Sequence, residues 1–252
     1  MKKLLIMKAY ALAMTLAFVV LLSMTAMAAT GQYDLQIQQA VSHKIHDAKQ
    51  LQGVSASVED GIVTLTGTVD LYQDKLDAAK KVKKLANVTG VRNDIVVAGK
   101  TVTDDELQKQ LAKKVAFDRV GYYDNAFNYI ALNVKDGVVT LTGDALFDVP
   151  EDSALNIVAR TPGVKGVVND VTVLPVSGVD DSIRRRTARA IYRDSVLSRY
   201  AIDPVKPIRI VVDNGHVTLY GTVESVMDKN IAGLRASAVP GAFSVENKLE
   251  VD

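Results

Sequence analysis

Residues 58–67 read VEDGIVTLTG, and the chain repeats this stretch as VKDGVVTLTG at residues 134–143 and as VDNGHVTLYG at residues 212–221. An Asp-Gly or Asn-Gly pair between two alternating apolar runs favours a type I′ turn, in which both central residues have positive φ. Each repeat is therefore predicted to contain a tight β-hairpin. The second strand of each hairpin has one apolar face, because successive side chains alternate between the two faces of a strand.

The last glycine of each stretch falls in the apolar phase of its strand. These glycines are Gly67, Gly143 and Gly221. Because glycine lacks a side chain, another backbone can approach at such a position, or the strand can form a bulge there. We expect all three glycines to have this structural purpose.

A second helix and a third strand are predicted after each hairpin. In the first repeat, residues 73–86 carry apolar side chains at helical spacing, namely Leu76, Ala79, Val82 and Ala86, with Lys83 in the same phase. This helix is expected to end at Asn87, the position that Gly163 and Gly241 occupy in the other repeats, because the left-handed residue after a helix favours glycine and then asparagine. The third strands are predicted at residues 91–97, 167–173 and 245–251. Each contains an asparagine 32 residues after the turn glycine.

A further helical pattern precedes each hairpin, at residues 35–49, 104–118 and 180–192. The second pattern opens with Thr103 and Glu106, the spacing of a capping box. Pairs of acidic residues open the second and third helices, where negative charge is favourable. The repeat is therefore αββαβ and about 70 residues long, and the fold class is α+β, with three tandem modules that each contain a three-stranded sheet and two helices.

The N-terminal residues predict export. Lys2, Lys3 and Lys8 precede an apolar run from residue 9 to residue 22, and Ala26-Met27-Ala28 follows. This order is typical of a secretory signal with an A-x-A cleavage site, although the run could extend to residue 29 and remain as an anchor. We predict a signal peptide at residues 1–28 and modules at residues 29–100, 101–175 and 176–252.

Composition excludes several classes of protein. The chain has no cysteine, so it forms no disulfides and carries no lipid on an N-terminal cysteine. Hydrophobic residues make up 48% and charged residues 23% of the chain, which is close to ordinary globular usage. Without residues 1–28, which contain three lysines and no acids, 27 basic and 29 acidic residues remain, a net charge of −2. This balance does not favour nucleic acid as a partner.

The repeated pattern V-x-D-G-x-V-x-L-x-G, a helix and then G-V-x-x-V-x-N resembles the BON domain family (bacterial OsmY and nodulation). The resemblance covers nearly all of the mature chain. It implies a periplasmic or envelope module that is associated with osmotic and envelope stress and binds phospholipid or partner proteins. It implies no catalysis and supplies no catalytic residues.

A row of arginines in the third repeat is the first candidate site. Arg185, Arg189 and Arg193 lie at positions i, i+4 and i+8, with Arg186 beside them. The apolar side of the same helix is expected to dock on its module, which leaves the arginines to attract lipid phosphate or an acidic partner. The alternative interpretation is a solvated helix face whose charge is balanced by nearby aspartates, which are Asp180, Asp181 and Asp194.

The loop between the first helix and the hairpin differs among the repeats, and loops that vary on a common frame are plausible binding surfaces. In the second repeat it carries Tyr122 and Tyr123, the second candidate contact. Phe127 and Tyr129 are expected to begin the first strand and to pack into the core.

Residues for catalysis or for a cofactor are scarce. Among the three histidines, His43 and His46 lie at i, i+3 with no third metal ligand nearby in the sequence. The chain has no cysteine nucleophile, no G-x-S-x-G motif and no phosphate-binding glycine loop. We therefore predict no cofactor, no metal and no enzyme. The predicted function is peripheral association with anionic phospholipid, and the alternative is a protein-binding or chaperone-like envelope module.

The signal segment generates the first testable prediction. We expect the mature protein to begin at Ala29, within one residue, because Ala26-Met27-Ala28 fits the small-residue specificity of signal cleavage. Mass spectrometry of the protein purified from a bacterial periplasmic extract measures this. A protein from that extract that still carries Met1 would contradict the prediction.

Overall fold

The computed structural model describes residues 33–116, 125–201 and 207–252. The chain divides into two compact units, residues 1–99 and 100–252. The first unit contains one αββαβ repeat and the second contains two, which confirms the predicted α+β class. The predicted signal peptide lies outside the described residues. Within the described part of the chain, no helix combines the length and the apolar character that crossing a membrane requires.

The secondary structure follows the repeats. In the first module, α1 covers residues 33–46, and the elements after it are β1 (Val54–Glu59), β2 (Ile62–Val69), α2 (Tyr72–Lys83), β3 (Gly90–Asn93) and β4 (Val96–Val97). The second module contains α3 (Asp104–Ala116), β5 (Tyr129–Lys135), β6 (Val138–Ala145), α4 (Asp148–Ala159) and β7 (Gly166–Val173). The third contains α5 (Gly178–Tyr192), β8 (Arg209–Asp213), β9 (His216–Tyr220), β10 (Thr222–Val223), α6 (Val226–Ser237), β11 (Ser244–Asn247) and β12 (Glu250–Val251).

The second hairpin strand is the central strand of each sheet. The strand orders are β1-β2-β3, β5-β6-β7 and β8-β9-β11. Each hairpin is antiparallel, while the third strand runs parallel to the central one because a helix connects the two. The turns have the predicted backbone, since Asp60 has φ 51° and Gly61 has φ 75°, and the other two turns are similar.

A carboxylate from the first helix of each module binds the hairpin turn. In the first module, Asp34 accepts hydrogen bonds from the backbone N–H groups of Asp60 and Gly61, one on each carboxylate oxygen. Asp104 and Asp180 do the same in the second and third modules, and all six N···O distances lie between 2.7 and 3.1 Å. A two-residue turn leaves these N–H groups without a partner inside the hairpin, so the carboxylate supplies one. The acids that open the helices therefore also fasten the turns.

An asparagine fastens the other end of each module. The Asn93 side-chain amide donates to the carbonyl oxygen of Lys75 in α2 at 2.7 Å, and Asn247 donates to Lys229 in α6 at the same distance. In the second module, Asn169 donates instead to the side chain of Glu151. The predicted third strand is interrupted after Asn93 and after Asn247, but β7 is continuous. Where the amide reaches the helix backbone, the strand therefore breaks.

Helix α2 docks through part of the predicted set, since Val82 is buried and Ala79 packs against the core. Ala78 and Val82 are fully buried, whereas Leu76 is 42% exposed, so Leu76 does not belong to the core. The left-handed residue after the helix is confirmed, since Asn87 has φ 65°.

The glycine at the end of the second hairpin strand allows a close backbone approach, as predicted. Gly143 has φ 112°, and a Cβ atom built on it would lie 2.0 Å from the carbonyl oxygen of Tyr129. The corresponding distance for Gly67 is 2.1 Å, to the carbonyl oxygen of Gly53. No side chain fits at either position.

The second and third modules contact each other within their compact unit. Tyr129 begins β5 as predicted, but its ring stacks on that of Tyr220 in the third module, with centroids 3.8 Å apart. Phe127 lies in a short 3-10 helix and packs against the core of the third module. Arg209 of β8 donates to the carbonyl oxygen of Asn128 at 3.1 Å. The aromatics expected in the core of the second module thus join two modules.

The carboxylate at the turn generates a second prediction. Asp104→Ala should lower the free energy of unfolding by about 1 to 2 kcal/mol, because two turn N–H groups lose a charged acceptor. Urea denaturation followed by circular dichroism measures the change.

The matched control is Asp105→Ala, which removes the same charge from the same helical turn. Asp105 is exposed, so this variant should stay within about 0.5 kcal/mol of the parent. Equal losses in the two variants would assign the effect to charge at the helix start instead of the turn contact.

Candidate functional site

The candidate site lies on α5, and local sequence explains how this helix begins. The hydroxyl oxygen of Ser177 accepts a hydrogen bond from the backbone N–H of Asp180 at 3.2 Å and caps the helix. One face of α5 is buried through Ile183, Thr187 and Ile191. This is the docking face that the sequence predicted.

Three arginines form a row on the opposite face of α5. Arg185, Arg189 and Arg193 are exposed and lie one helical turn apart, so the row extends about 12 Å along the helix. Among the described residues, none of these three side chains has a hydrogen bond or an ion pair. We call these three residues the arginine surface.

Arg186 has a different position. Its guanidinium donates to the carbonyl oxygen of Pro240 at 3.0 Å and to the hydroxyl of Ser182 at 2.8 Å. The bond to Pro240 holds the loop after α6 against α5, and the bond to Ser182 lies within α5. The structure therefore separates Arg186, which is engaged inside the module, from the three arginines beside it.

A groove of about 420 Å³ borders the arginine surface, between α5 and the end of α6. Arg189, Arg193 and Arg235 contribute positive charge to it. Arg235 is paired with Asp194, and both of its bonds to that carboxylate are 2.8 Å long. The backbone N–H of Val196 and the guanidinium of Arg235 hold the pKa of Asp194 below its ordinary value.

The aspartates that could balance the arginine surface all have other partners. Asp180 binds the hairpin turn, Asp181 pairs with Arg184, and Asp194 pairs with Arg235. The positive charge of Arg185, Arg189 and Arg193 is therefore not matched by these acids, which favours binding of an external anion.

Sequence reasoning missed Arg184, which is only 2% exposed. It donates to the carbonyl oxygen of Val212 at 2.9 Å, at the outer edge of the sheet. Burial lowers the pKa of Arg184, and Asp181 opposes that shift. The sequence does mark this position, because it recurs in every module four residues after the turn-binding aspartate. The residues there contact the backbone of the first hairpin strand, and they are Gln38, Gln108 and Arg184.

A second buried polar cluster was also missed. Asp228, at the start of α6, accepts hydrogen bonds from the hydroxyl of Tyr200 at 2.7 Å and from Arg199. Burial would raise the pKa of Asp228, but these hydrogen bonds hold it below its ordinary value. The hydroxyl of Tyr200 also accepts from the backbone N–H of Glu224, so the cluster ties the segment before β8 to α6. We assign to these contacts the function of stabilising the third module.

The remaining candidates from the sequence are two tyrosines and a pair of histidines. Tyr122 and Tyr123 lie outside the described residues. The Nδ1 atom of His43 lies 2.9 Å from a carboxylate oxygen of Asp47. Within the described part of the chain, no group of three or more His, Asp or Glu side chains has metal-binding geometry.

Comparison with known protein families identifies one family, which matches each of the three repeats. The family model described as BON domain matches residues 33–99, 103–175 and 180–252. Osmotically-inducible protein Y of Escherichia coli (strain K12) is 29% identical over 137 residues, which cover 50% of this chain and 64% of that protein. The chain thus matches less than two thirds of that relative. An Anaplasma centrale protein named "Uncharacterized protein in gshII 5'region" is 31% identical over 47% of this chain and 80% of its own length.

Solved structures give weaker similarity. The C-terminal domain of CdsD, from the type III secretion system of Chlamydia trachomatis, has a TM-score of 0.25 and 13% identity, over 84% of this chain and 95% of that one. The periplasmic domain of PrgH from S. typhimurium has a TM-score of 0.21 and 11% identity, over 79% of this chain and 99% of that one. Scores of this size carry no argument about fold or function.

The Asp228 cluster generates a third prediction, on acid stability. Because the pKa of Asp228 is lower in the folded state than in the unfolded one, its contribution is complete above the unfolded value and is lost as pH falls through the lower folded value. Asp228→Asn should therefore lower stability at neutral pH, by about 1 to 3 kcal/mol. Below about pH 4, the stability of the variant should fall less steeply than that of the parent.

Thermal unfolding at several pH values measures this difference. Glu224→Gln is the control, because Glu224 is exposed and contacts Arg199 at 3.3 Å on the rim of the same cluster. Parallel pH profiles for Asp228→Asn and the parent would show that Asp228 does not carry the effect.

Proposed function

Since the chain belongs to the BON domain family, we propose that it is a non-enzymatic periplasmic protein of the osmotic and envelope stress response, which associates peripherally with anionic phospholipid headgroups. The relative named Osmotically-inducible protein Y supports the osmotic part of this proposal. The observation that carries the lipid part is the arginine surface, whose three exposed side chains have no acidic partner among the described residues.

The chemistry of the arginine surface suits phosphate. A guanidinium donates two parallel hydrogen bonds to a phosphate and keeps its charge at every physiological pH. Arg185, Arg189 and Arg193 face one side of α5, so all three can meet one flat anionic surface together. The buried opposite face of α5 holds the helix in place, so the arginines reach the membrane without unfolding of the module.

The association is electrostatic and local. The mature chain carries a net charge of −2, so a uniform attraction to anionic lipid is absent and the positive row must act over a short distance. Each basic residue near an anionic membrane contributes about 1 kcal/mol, and salt screens this attraction over about 8 to 10 Å. Three such residues give reversible binding that weakens as ionic strength rises.

Substitution of the arginine surface tests the proposal. Replacing Arg185, Arg189 and Arg193 together by glutamine should weaken co-sedimentation with anionic liposomes by about two orders of magnitude, because about 3 kcal/mol of attraction is lost. Liposome sedimentation of the mature protein over a salt series measures this. The melting temperature should change little, because the three side chains are exposed.

The matched control replaces three exposed lysines at the C-terminal end of α2 and its C-cap by glutamine, namely Lys80, Lys83 and Lys84. This control removes the same total charge from another helix and should retain most of the binding. Equal sedimentation of the arginine variant and the parent would make the row a solvated helix face. Absence of parental binding at every salt concentration would contradict the lipid function itself.

A further inference from the structure

A groove of about 600 Å³ lies in the second module, between α3 and the outer edge of β5. Its walls are mainly apolar: Val115 and Ala116 come from α3, and Ile130 and Leu132 come from β5. Grooves of this volume with apolar walls and a few polar groups are typical of binding sites. The arginine surface lies on another helix of another module, so this groove is a separate site.

The backbone of β5 faces this groove. β5 is the edge strand of its sheet, and the pair Lys135–Val138 closes the two-residue turn with hydrogen bonds. Since bonded and outward-facing residues alternate along such a strand, the N–H and C=O groups of Ile130 and Leu132 point away from β6. The backbone groups of Val134 point the same way as those of Ile130 and Leu132, and the N–H of Val134 donates outward to the side chain of Gln108 at 3.4 Å. Among the described residues, no strand pairs with this edge of β5, which borders the groove.

The third module covers the same edge with its own side chain. There the hydroxyl of Tyr192 donates to the carbonyl oxygen of Ile208. Ile208 and Ile130 each lie seven residues before the turn glycine. Tyr192 lies twelve residues after the turn-binding aspartate of its module, and Ala116 has that position in the second module. Because alanine has neither the ring nor the hydroxyl, position 116 supplies no such donor, and within the described part of the chain no side chain takes the place of Tyr192 at the carbonyl of Ile130.

Charge at the groove selects the kind of occupant. Lys113 lies on the rim of the groove and is exposed, and Arg209 lines it from β8 of the third module. Arg209 also donates to the carbonyl oxygen of Asn128, so it stands where the open edge of β5 begins. Because Arg209 already has partners inside the protein, the exposed ammonium group of Lys113 is the charge that complements an apolar segment with an acidic group.

We propose that this groove binds an extended segment of a partner protein as an additional strand on β5, with apolar side chains in the groove and an acidic residue at Lys113. Strand addition to a sheet edge gives affinity through main-chain hydrogen bonds, while the groove selects side chains at alternate positions. An uncovered edge is otherwise a liability for aggregation. This peptide-binding activity is independent of lipid binding by the third module.

Selection from a displayed library of random peptides of about eight residues tests the proposal on the full mature chain. The parent should enrich peptides with alternating apolar residues and an acidic residue. Ala116→Tyr, which introduces the side chain that the third module uses, should bind the enriched peptides at least about tenfold more weakly. Absence of enrichment with the parent, or undiminished binding by Ala116→Tyr, would overturn the proposal.

Two further measurements keep the test decisive if Ala116→Tyr folds poorly. Lys113→Glu should weaken the same peptides, whereas Lys109→Glu, an exposed change on α3 outside the groove, should not. Two synthetic versions of an enriched peptide, N-methylated at the odd residues or at the even residues, should differ in binding. Only one of these two sets of N–H groups faces β5, so methylation of that set should abolish binding and methylation of the other set, the second phase, should preserve it. Equal binding in both phases would exclude strand addition.

Discussion

The bidentate contact between one helix carboxylate and the two N–H groups of the hairpin turn is the constraint on which each module depends. It fixes the first helix relative to the hairpin, whose second strand is the central one. The third strand then has a single place, beside the central strand and parallel to it. The contact uses charge on one side and backbone groups on the other, so it is independent of the apolar side chains that fill the core. Apolar residues supply most of the free energy of folding and, together with the turn, set the strand register, while the polar contact positions the helix on the turn.

The asparagine at the far end of the module completes the frame. It joins the second helix to the third strand, as the aspartate joins the first helix to the hairpin. Both side chains are short and have few rotamers, so they define relative positions closely. Between these two contacts, loops and exposed faces are free to differ. The three copies consequently keep one architecture and present different surfaces.

Helix α5 shows how one element serves folding and recognition together. Its inner face carries Asp180 and Arg184, which bind the turn and the strand edge, and its outer face carries the arginine surface. The period of 3.6 residues keeps these two sets apart. The second module departs from this pattern at Ala116, where the edge of β5 is left open. The two proposed binding surfaces, for lipid and for a peptide, thus differ from each other by a few side chains on the first helix of the repeat.

Local spacing in the sequence determined the hairpin turns, the left-handed residues after the helices, the repeat architecture and the position of the arginines on one helical face. These features depend on backbone preferences and on the periods of helix and strand, which neighbouring residues define. Only the tertiary structure decided the partners of Asp34, Asp104 and Asp180, because their distances to the turn glycine are 27, 33 and 35 residues. It also decided that Phe127 and Tyr129 join two modules and that Ala116 lines a groove. Such contacts depend on which surfaces meet after the chain has folded, and the periodicity of neighbouring residues does not predict which surfaces those are.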